Sequence, residues 1–375
     1  MKYLMILGLV LTSVLSAQES NTSVSRPFLP GFLPSSLPKI LLEYSPIFHS
    51  NIDKLNTPIY DNLLGHKLSV KTRLRGKPFK KLTLIDLPKI DGEYTPAHFK
   101  KLRSLNIYNS LIGLYLPFRG LSFNSVLTTG YSDFISMNED NELEQSNFYS
   151  VGLNGGVNYA FSKKVFINLD LGAKIQDYLR PPTPIDDFTN DNVKFLLKLA
   201  PKLKLGRGWQ IVTDFRYSKK FYREKRALTK TGVLGGIQAD TIDQYKIIFS
   251  PKFKDRTFSL YPSFAYLFNR DMQNGGRTYE GPDLSLKFRY NFDKLKYNSK
   301  VRYTHQSYDT QLVNTSLQEG ETLKNHLWSM EHTISFKFNN SLDIIPGYEF
   351  SKLDSNREND NYNDHSIRVG MNLTI

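Results

Sequence analysis

Residues 365–375 read HSIRVGMNLTI, in which Ile367, Val369, Met371, Leu373 and Ile375 alternate with Ser366, Arg368, Gly370, Asn372 and Thr374. Successive side chains of a strand point to opposite faces, so this two-residue period describes a strand with one apolar and one polar face. The same alternation runs through VFINLDLGAKI at 165–175 and LSLKFRYNF at 284–292. Strands of globular proteins average about five or six residues, whereas these segments reach about ten. That is the length of a strand that crosses a bilayer as part of a closed barrel.

One stretch carries two periods at once. In VKFLLKLAPKLKL, at 193–205, Lys194, Lys198 and Lys202 are four apart, as on one face of a helix. Val193, Phe195, Leu197, Leu199, Leu203 and Leu205 instead keep the period of a strand. Pro201 decides between them, because a proline inside a helix costs about 3 kcal/mol or more. The segment therefore reads as a strand, with its lysines together on the polar face.

From residue 101 onward, thirteen segments of this kind begin near 101, 121, 148, 165, 192, 208, 240, 256, 277, 295, 324, 341 and 361. Three more are legible upstream at 39–49, 66–75 and, less regularly, 79–87. Very short connections such as Phe118-Arg119-Gly120, Lys163-Lys164, Gly206-Arg207 and Asp293-Lys294 alternate with long polar ones at 136–147, 179–191, 223–239, 271–276, 310–323 and 355–360. Short periplasmic turns and long extracellular loops are the mark of a membrane barrel. The expected fold is all-β, an antiparallel transmembrane β-barrel of about 16 strands, with 14 as the alternative, spanning residues 39–375.

The N-terminus is read separately. Met1-Lys2 leads into an apolar stretch, Tyr3 to Leu15, and then the small residue Ala17. This is the pattern of a secretory signal peptide over 1–17, which implies export. Residues 18–38 are Pro-rich and are expected to form a leader or a small plug. The chain has no cysteine, so neither disulfides nor a lipid-modified cysteine enter the picture.

With the apolar face turned to lipid, the polar face must line the lumen. From residue 165 that face carries Lys174, Lys194, Lys198, Lys202, Lys204, Arg216, Lys220, Lys246, Lys252, Lys254, Lys287, Arg289, Lys296, Lys300, Arg302, Lys337 and Arg368. Its acids are Asp170, Asp214, Asp283, Glu331, Asp343, Glu349 and Asp364, seven against seventeen bases. Upstream, Lys67, Lys71, Arg73 and Arg75 share one face of another strand. A dry interior could not hold that surplus of charge, whereas a water-filled one can. A barrel of this strand number is wide enough for water, and rings of Lys and Arg favour anions. Lys174, Lys194, Lys198, Lys202, Arg216, Lys220, Lys246, Lys287, Arg289, Lys300, Arg302 and Arg368 are the expected ion path. Acidic loop residues such as Glu139, Asp140, Asp186, Asp187 and Glu358 read as solvated, with cation bridging to anionic outer-membrane lipid as the alternative.

The pattern over 39–375 resembles Gram-negative outer-membrane β-barrel proteins, broadly porin-like. The resemblance implies residence in the outer membrane and passage of small anionic solutes. The last strand, Asp364 to Ile375, resembles the C-terminal signal read by the barrel-assembly machinery, although that signal usually ends in an aromatic residue. The alternative role is a non-conducting barrel for assembly, anchoring or adhesion, plugged by residues 18–38 or by the loop 223–239.

One further motif resembles an enzyme. His305 and Ser307 share a strand face, as the His-x-Ser pair of outer-membrane phospholipases and lipid A deacylases does. Here Tyr308 and Asp309 follow, where those enzymes continue with Asn. The expectation is no enzyme. The other histidines, His49, His66, His98, His326, His332 and His365, lack metal-ligand spacing, so no cofactor, metal or nucleic acid is expected.

Overall fold

The computed structural model describes residues 39–51, 61–94, 102–137, 143–178, 191–228, 234–273, 276–312, 321–339, 341–357 and 360–374. The expected signal peptide, the Pro-rich segment and the tips of the long connections lie outside them. Strands are β1 (Lys39–Asn51), β2 (Asp61–Phe79), β3 (Leu82–Asp86), β4 (Lys89–Tyr94), β5 (Leu102–Phe118), β6 (Leu121–Met137), β7 (Leu143–Ala160) and β8 (Val165–Tyr178). They continue with β9 (Asn192–Gly206), β10 (Trp209–Leu228), β11 (Leu234–Lys254), β12 (Phe258–Asp271), β13 (Tyr279–Phe292), β14 (Leu295–Leu312), β15 (Thr322–Lys337), β16 (Leu342–Ser355) and β17 (Tyr362–Thr374).

All pairings are antiparallel and, β3 and β4 apart, each strand pairs with its sequence neighbours, while β17 returns to β1 through Leu41↔Thr374 to His49↔Ser366. The sheet therefore has no free edge, which is the condition for a sheet to sit in hydrocarbon. Strands β3 and β4 both lie between β2 and β5, so seventeen segments make sixteen staves. The third stave breaks at Leu87-Pro88, where proline offers no N–H to the ladder. Backbone bonds still cross the break, from Thr72 N to Pro88 O and from Leu87 N to Ser110 O, both 3.0 Å. That break explains the poor alternation of the stretch 79–87.

The outer face of the wall is apolar, and on most staves it carries exposed side chains. Leu171 (56%), Ile175 (54%), Ile367 (56%) and Val369 (46%) stay uncovered because no protein packs over them. In water this belt would be an aggregation surface, and in a bilayer it is the buried face. Phe118, Phe161, Phe292 and Phe338, each more than 60% exposed, ring the short-turn end. A second aromatic row, with Tyr131 on Tyr149, Phe195 on Phe221, Tyr217 on Tyr245 and Tyr303 on Trp328, lies toward the long-connection end. Two such girdles mark the two interfaces of a bilayer. Two pairs of charges lie on this face: Lys219 lies 4.0 Å from Asp243, which also accepts from Tyr217, and Lys352 lies 2.8 Å from Asp354.

The ladders outlast the alternation. Residues 223–228 and 234–239, expected as loop, continue the β10–β11 hairpin as far as Leu228↔Leu234. A plug made from the whole of 223–239 is thereby corrected, since only 229–233 lie outside the described residues. The expected loops 136–147 and 310–323 shorten likewise, because β6 runs to Met137, β7 starts at Leu143, β14 runs to Leu312 and β15 starts at Thr322. Beyond the bilayer a hairpin keeps its hydrogen bonds but has no lipid to face, so the pairing persists while the hydrophobic period disappears.

Candidate functional site

Chaining the registers stave by stave places side chains in rows across the inner wall, about 4.8 Å apart. All seventeen bases and seven acids grouped by the alternation fall on this one face. One row reads Asn124, Gly156, Asp170, Lys198, Arg216, Lys246, from β6 to β11. Here charges neutralise one another. Lys198 donates to Asp170 at 3.0 Å, and Arg216 donates to Asp214 at 2.6 Å.

Other ion pairs reach past an intervening stave, which requires a small residue there. Lys246 on β11 donates to Asp283 on β13 across Ala265 of β12. Arg302 on β14 completes that group with two bonds to Asp283, at 2.8 and 2.9 Å, and Thr304 adds a third donor. Arg368 on β17 contacts Glu349 at 2.9 Å and Glu331 on β15 at 3.4 Å, lying over Gly347 of β16. A Cβ at 347 would come within 2.9 Å of the Arg368 Nε, so a larger side chain would push the arginine off its second partner.

The row two further toward the long-connection end, past Val126, Asn154 and Gly172, has no such balance. It reads Thr128, Gly152, Lys174, Lys194, Lys220, each directly opposite the next. Among the described residues no carboxylate pairs with these three lysines. Lys220 instead rests over the Tyr222 ring at 4.4 Å. Of the three lysines that alternate through the β9 strand, Lys198 is neutralised by Asp170, while Lys194 and Lys202 form no ion pair with a carboxylate among the described residues. Toward the short-turn end, Lys287 stands directly opposite Lys300, which in turn faces Glu331. Arg289 donates to Asn298 at 2.7 Å.

Sequence reasoning passed over the other side of the wall. The inner faces of β5, β6 and β7 carry Ser104, Asn106, Tyr108, Ser110, Ser122, Asn124, Thr128, Ser132, Ser150, Asn154 and Asn158, with no charge between Ser104–Leu116, Ser122–Ser132 or Ser150–Asn158. The signal was present in SFNSVLTT and VGLNGGVN as alternating amides and hydroxyls. Gly155-Gly156 sits in unbroken register; Asn124 and Asp170 lie over Gly156, and Asn154 lies over Gly172. Glycine thus lets amide side chains lie flat along the wall and keeps the lumen clear.

His305 and Ser307 face outward. The His305 ring rests on His326 at 4.5 Å, and its Nδ1 has no hydrogen-bond partner. The nucleophile–base and base–orienter bonds of a hydrolase are absent among the described residues. Nearby, Tyr303, Tyr297, Tyr348 and Tyr44 each hydrogen-bond a histidine Nδ1, of His326, His332, His365 and His66, at 2.7–2.9 Å. The purified protein is expected to release no fatty acid from phospholipid or lipid A, with or without calcium. Release abolished by Ser307→Ala would overturn that expectation.

No protein-family model and no curated protein matches the chain. Among solved structures it is similar to CdiB from Acinetobacter baumannii, at 8% identity and a TM-score of 0.51. The match covers 90% of this chain and 60% of CdiB, so the chain spans less than two thirds of that protein. OccD3 of Pseudomonas aeruginosa matches at 13% identity over 96% of this chain and 97% of its own, with a TM-score of 0.46. OmpT of Vibrio cholerae matches at 9% identity over 92% and 100%, also with a TM-score of 0.46. At these identities the likeness concerns architecture alone: the chain has the fold of Gram-negative outer-membrane β-barrel proteins.

Proposed function

We propose that this barrel is an outer-membrane channel for small solutes, with a preference for anions, and not an enzyme. The observation that carries the reading is the row Lys174, Lys194, Lys220, three adjacent cations on the inner wall with no carboxylate partner among the described residues. Charges of one sign in a low-dielectric wall raise the local concentration of counter-ions. Screening over about 8 Å in physiological salt leaves an ion close to the wall within their field. In this reading residues 1–17 direct export, β17 is the segment read by the barrel-assembly machinery, and the long connections face the exterior.

The test is conductance of the purified protein in a planar bilayer under a potassium chloride gradient. Discrete steps are expected, with a reversal potential on the chloride side of zero. An absence of steps would leave a non-conducting anchor or assembly barrel, and a reversal potential on the potassium side would overturn the anion preference.

A further inference from the structure

The inner wall is divided lengthwise. From β8 to β14 every strand but β12 carries Lys or Arg on it, whereas β5 to β7 present amides and hydroxyls without charge over Ser104–Leu116, Ser122–Ser132 and Ser150–Asn158. The two regions meet beside the three-lysine row. Thr128 and Gly152 continue that row directly to Lys174, and Thr128 Oγ1 lies 3.2 Å from the Gly152 carbonyl. The row above it reads Gly130, Ser150, Gln176, Asn192, and the row below reads Val126, Asn154, Gly172. Three cations spread over ~10 Å are therefore bordered on one side by hydroxyls and amides, with glycine leaving the wall low between them.

A bare anion uses only half of such a surface. A neutral polyol uses only the other half. Buried or wall-bound amides and hydroxyls select a ligand by the hydrogen bonds it can return, since a group left unmatched forfeits its bonds to water. Three clustered ammonium groups match a dianion better than a single carboxylate, because each added charge on the solute meets another partner.

Resting on the anion-channel reading, we infer that the preferred solutes are phosphorylated sugars, with the phosphate on Lys174, Lys194 and Lys220 and the sugar hydroxyls along Thr128, Ser150, Asn154 and Gln176. The lysines attract, and the neutral wall discriminates.

The experiment is block of the chloride current through single reconstituted channels by glucose 6-phosphate, inorganic phosphate, gluconate and glucose, each added from the long-connection side. Two or three weak hydrogen bonds to hydroxyls correspond to about a tenfold lower half-blocking concentration for glucose 6-phosphate than for inorganic phosphate. Glucose should not block, and gluconate should be weaker than the sugar phosphate. The double variant Thr128→Ala, Asn154→Ala should bring the two phosphates to within about twofold. Heat-modified mobility on a gel checks that the variant is folded, and the wild-type comparison stands without it. Equal block by inorganic phosphate and glucose 6-phosphate in the wild type would overturn the solute class while the anion channel stands. Stronger block by gluconate than by the sugar phosphate would overturn it in favour of sugar acids. A wild-type channel selective for potassium would remove the anion-channel reading itself.

Discussion

Replacing Lys174, Lys194 and Lys220 together by glutamate is expected to move the channel from anion toward cation selectivity. The substitution changes one row of the inner wall from three positive to three negative charges. Among the described residues none of the three has a carboxylate to lose, so no ion pair there is broken. Lys174 is exposed and Lys194 and Lys220 are half-buried, so in the water-filled passage proposed above the exchange needs little new desolvation. The reversal potential in a salt gradient should therefore change sign or fall close to zero, most clearly at low salt, where the screening length lengthens to about 30 Å at 0.01 M. Unfolding in detergent should shift little. Lys198→Glu is the control, because it confronts Asp170 with a second carboxylate and breaks an existing pair. It should destabilise more and alter selectivity less than the triple variant. A triple variant that fails to fold, or one whose selectivity is unchanged, would mean that these lysines do not face a water-filled passage.

The second large effect is expected from Asp283, and it runs the opposite way. Its carboxylate is 5% exposed as a residue and accepts from Lys246, Arg302 and Thr304. Asp283→Ala removes the only acid that joins β11 to β14 at this point among the described residues, and leaves two cations side by side. Arg302 is 44% exposed in its side chain, so water replaces much of what it loses. Roughly 1–3 kcal/mol of stability should be lost, seen as a lower midpoint in urea unfolding in detergent micelles. Anion selectivity should rise, because two compensated cations become free. Asp283→Asn keeps the shape and should recover part of the stability but none of the lost charge. Unaltered stability in the alanine variant would show that the group contributes nothing to holding these staves in register.

These two expectations depend on different kinds of information. The alternation in Val165–Ile175, Leu284–Phe292 and His365–Ile375 already separates a lipid face from a polar face, because side-chain direction in a strand is a local property of the backbone. Pro201 excludes the helix that the lysine spacing of 194–202 suggests, and this too is local. Strand number and the excess of bases over acids on one face follow from those local facts. The length of the hairpins did not, since β10 and β11 keep pairing beyond Tyr222 and Asp240 where no lipid imposes a period. Nor did the broken third stave, whose two halves share neighbours only because β2 and β5 both pair with them.

What the chain alone determined is thus the fold class and which side chains share the inner face. Which of those charges cancel was decided by the tertiary structure. Lys246 meets Asp283 and Arg368 meets Glu331, each across 37 residues and over one intervening stave, because Ala265 and Gly347 leave room between them. Lys174, Lys194 and Lys220 lie on three different strands and become one cluster only through register. Register is set by the pairing of the closed sheet as a whole, and a one-residue slip of any stave would exchange its two faces.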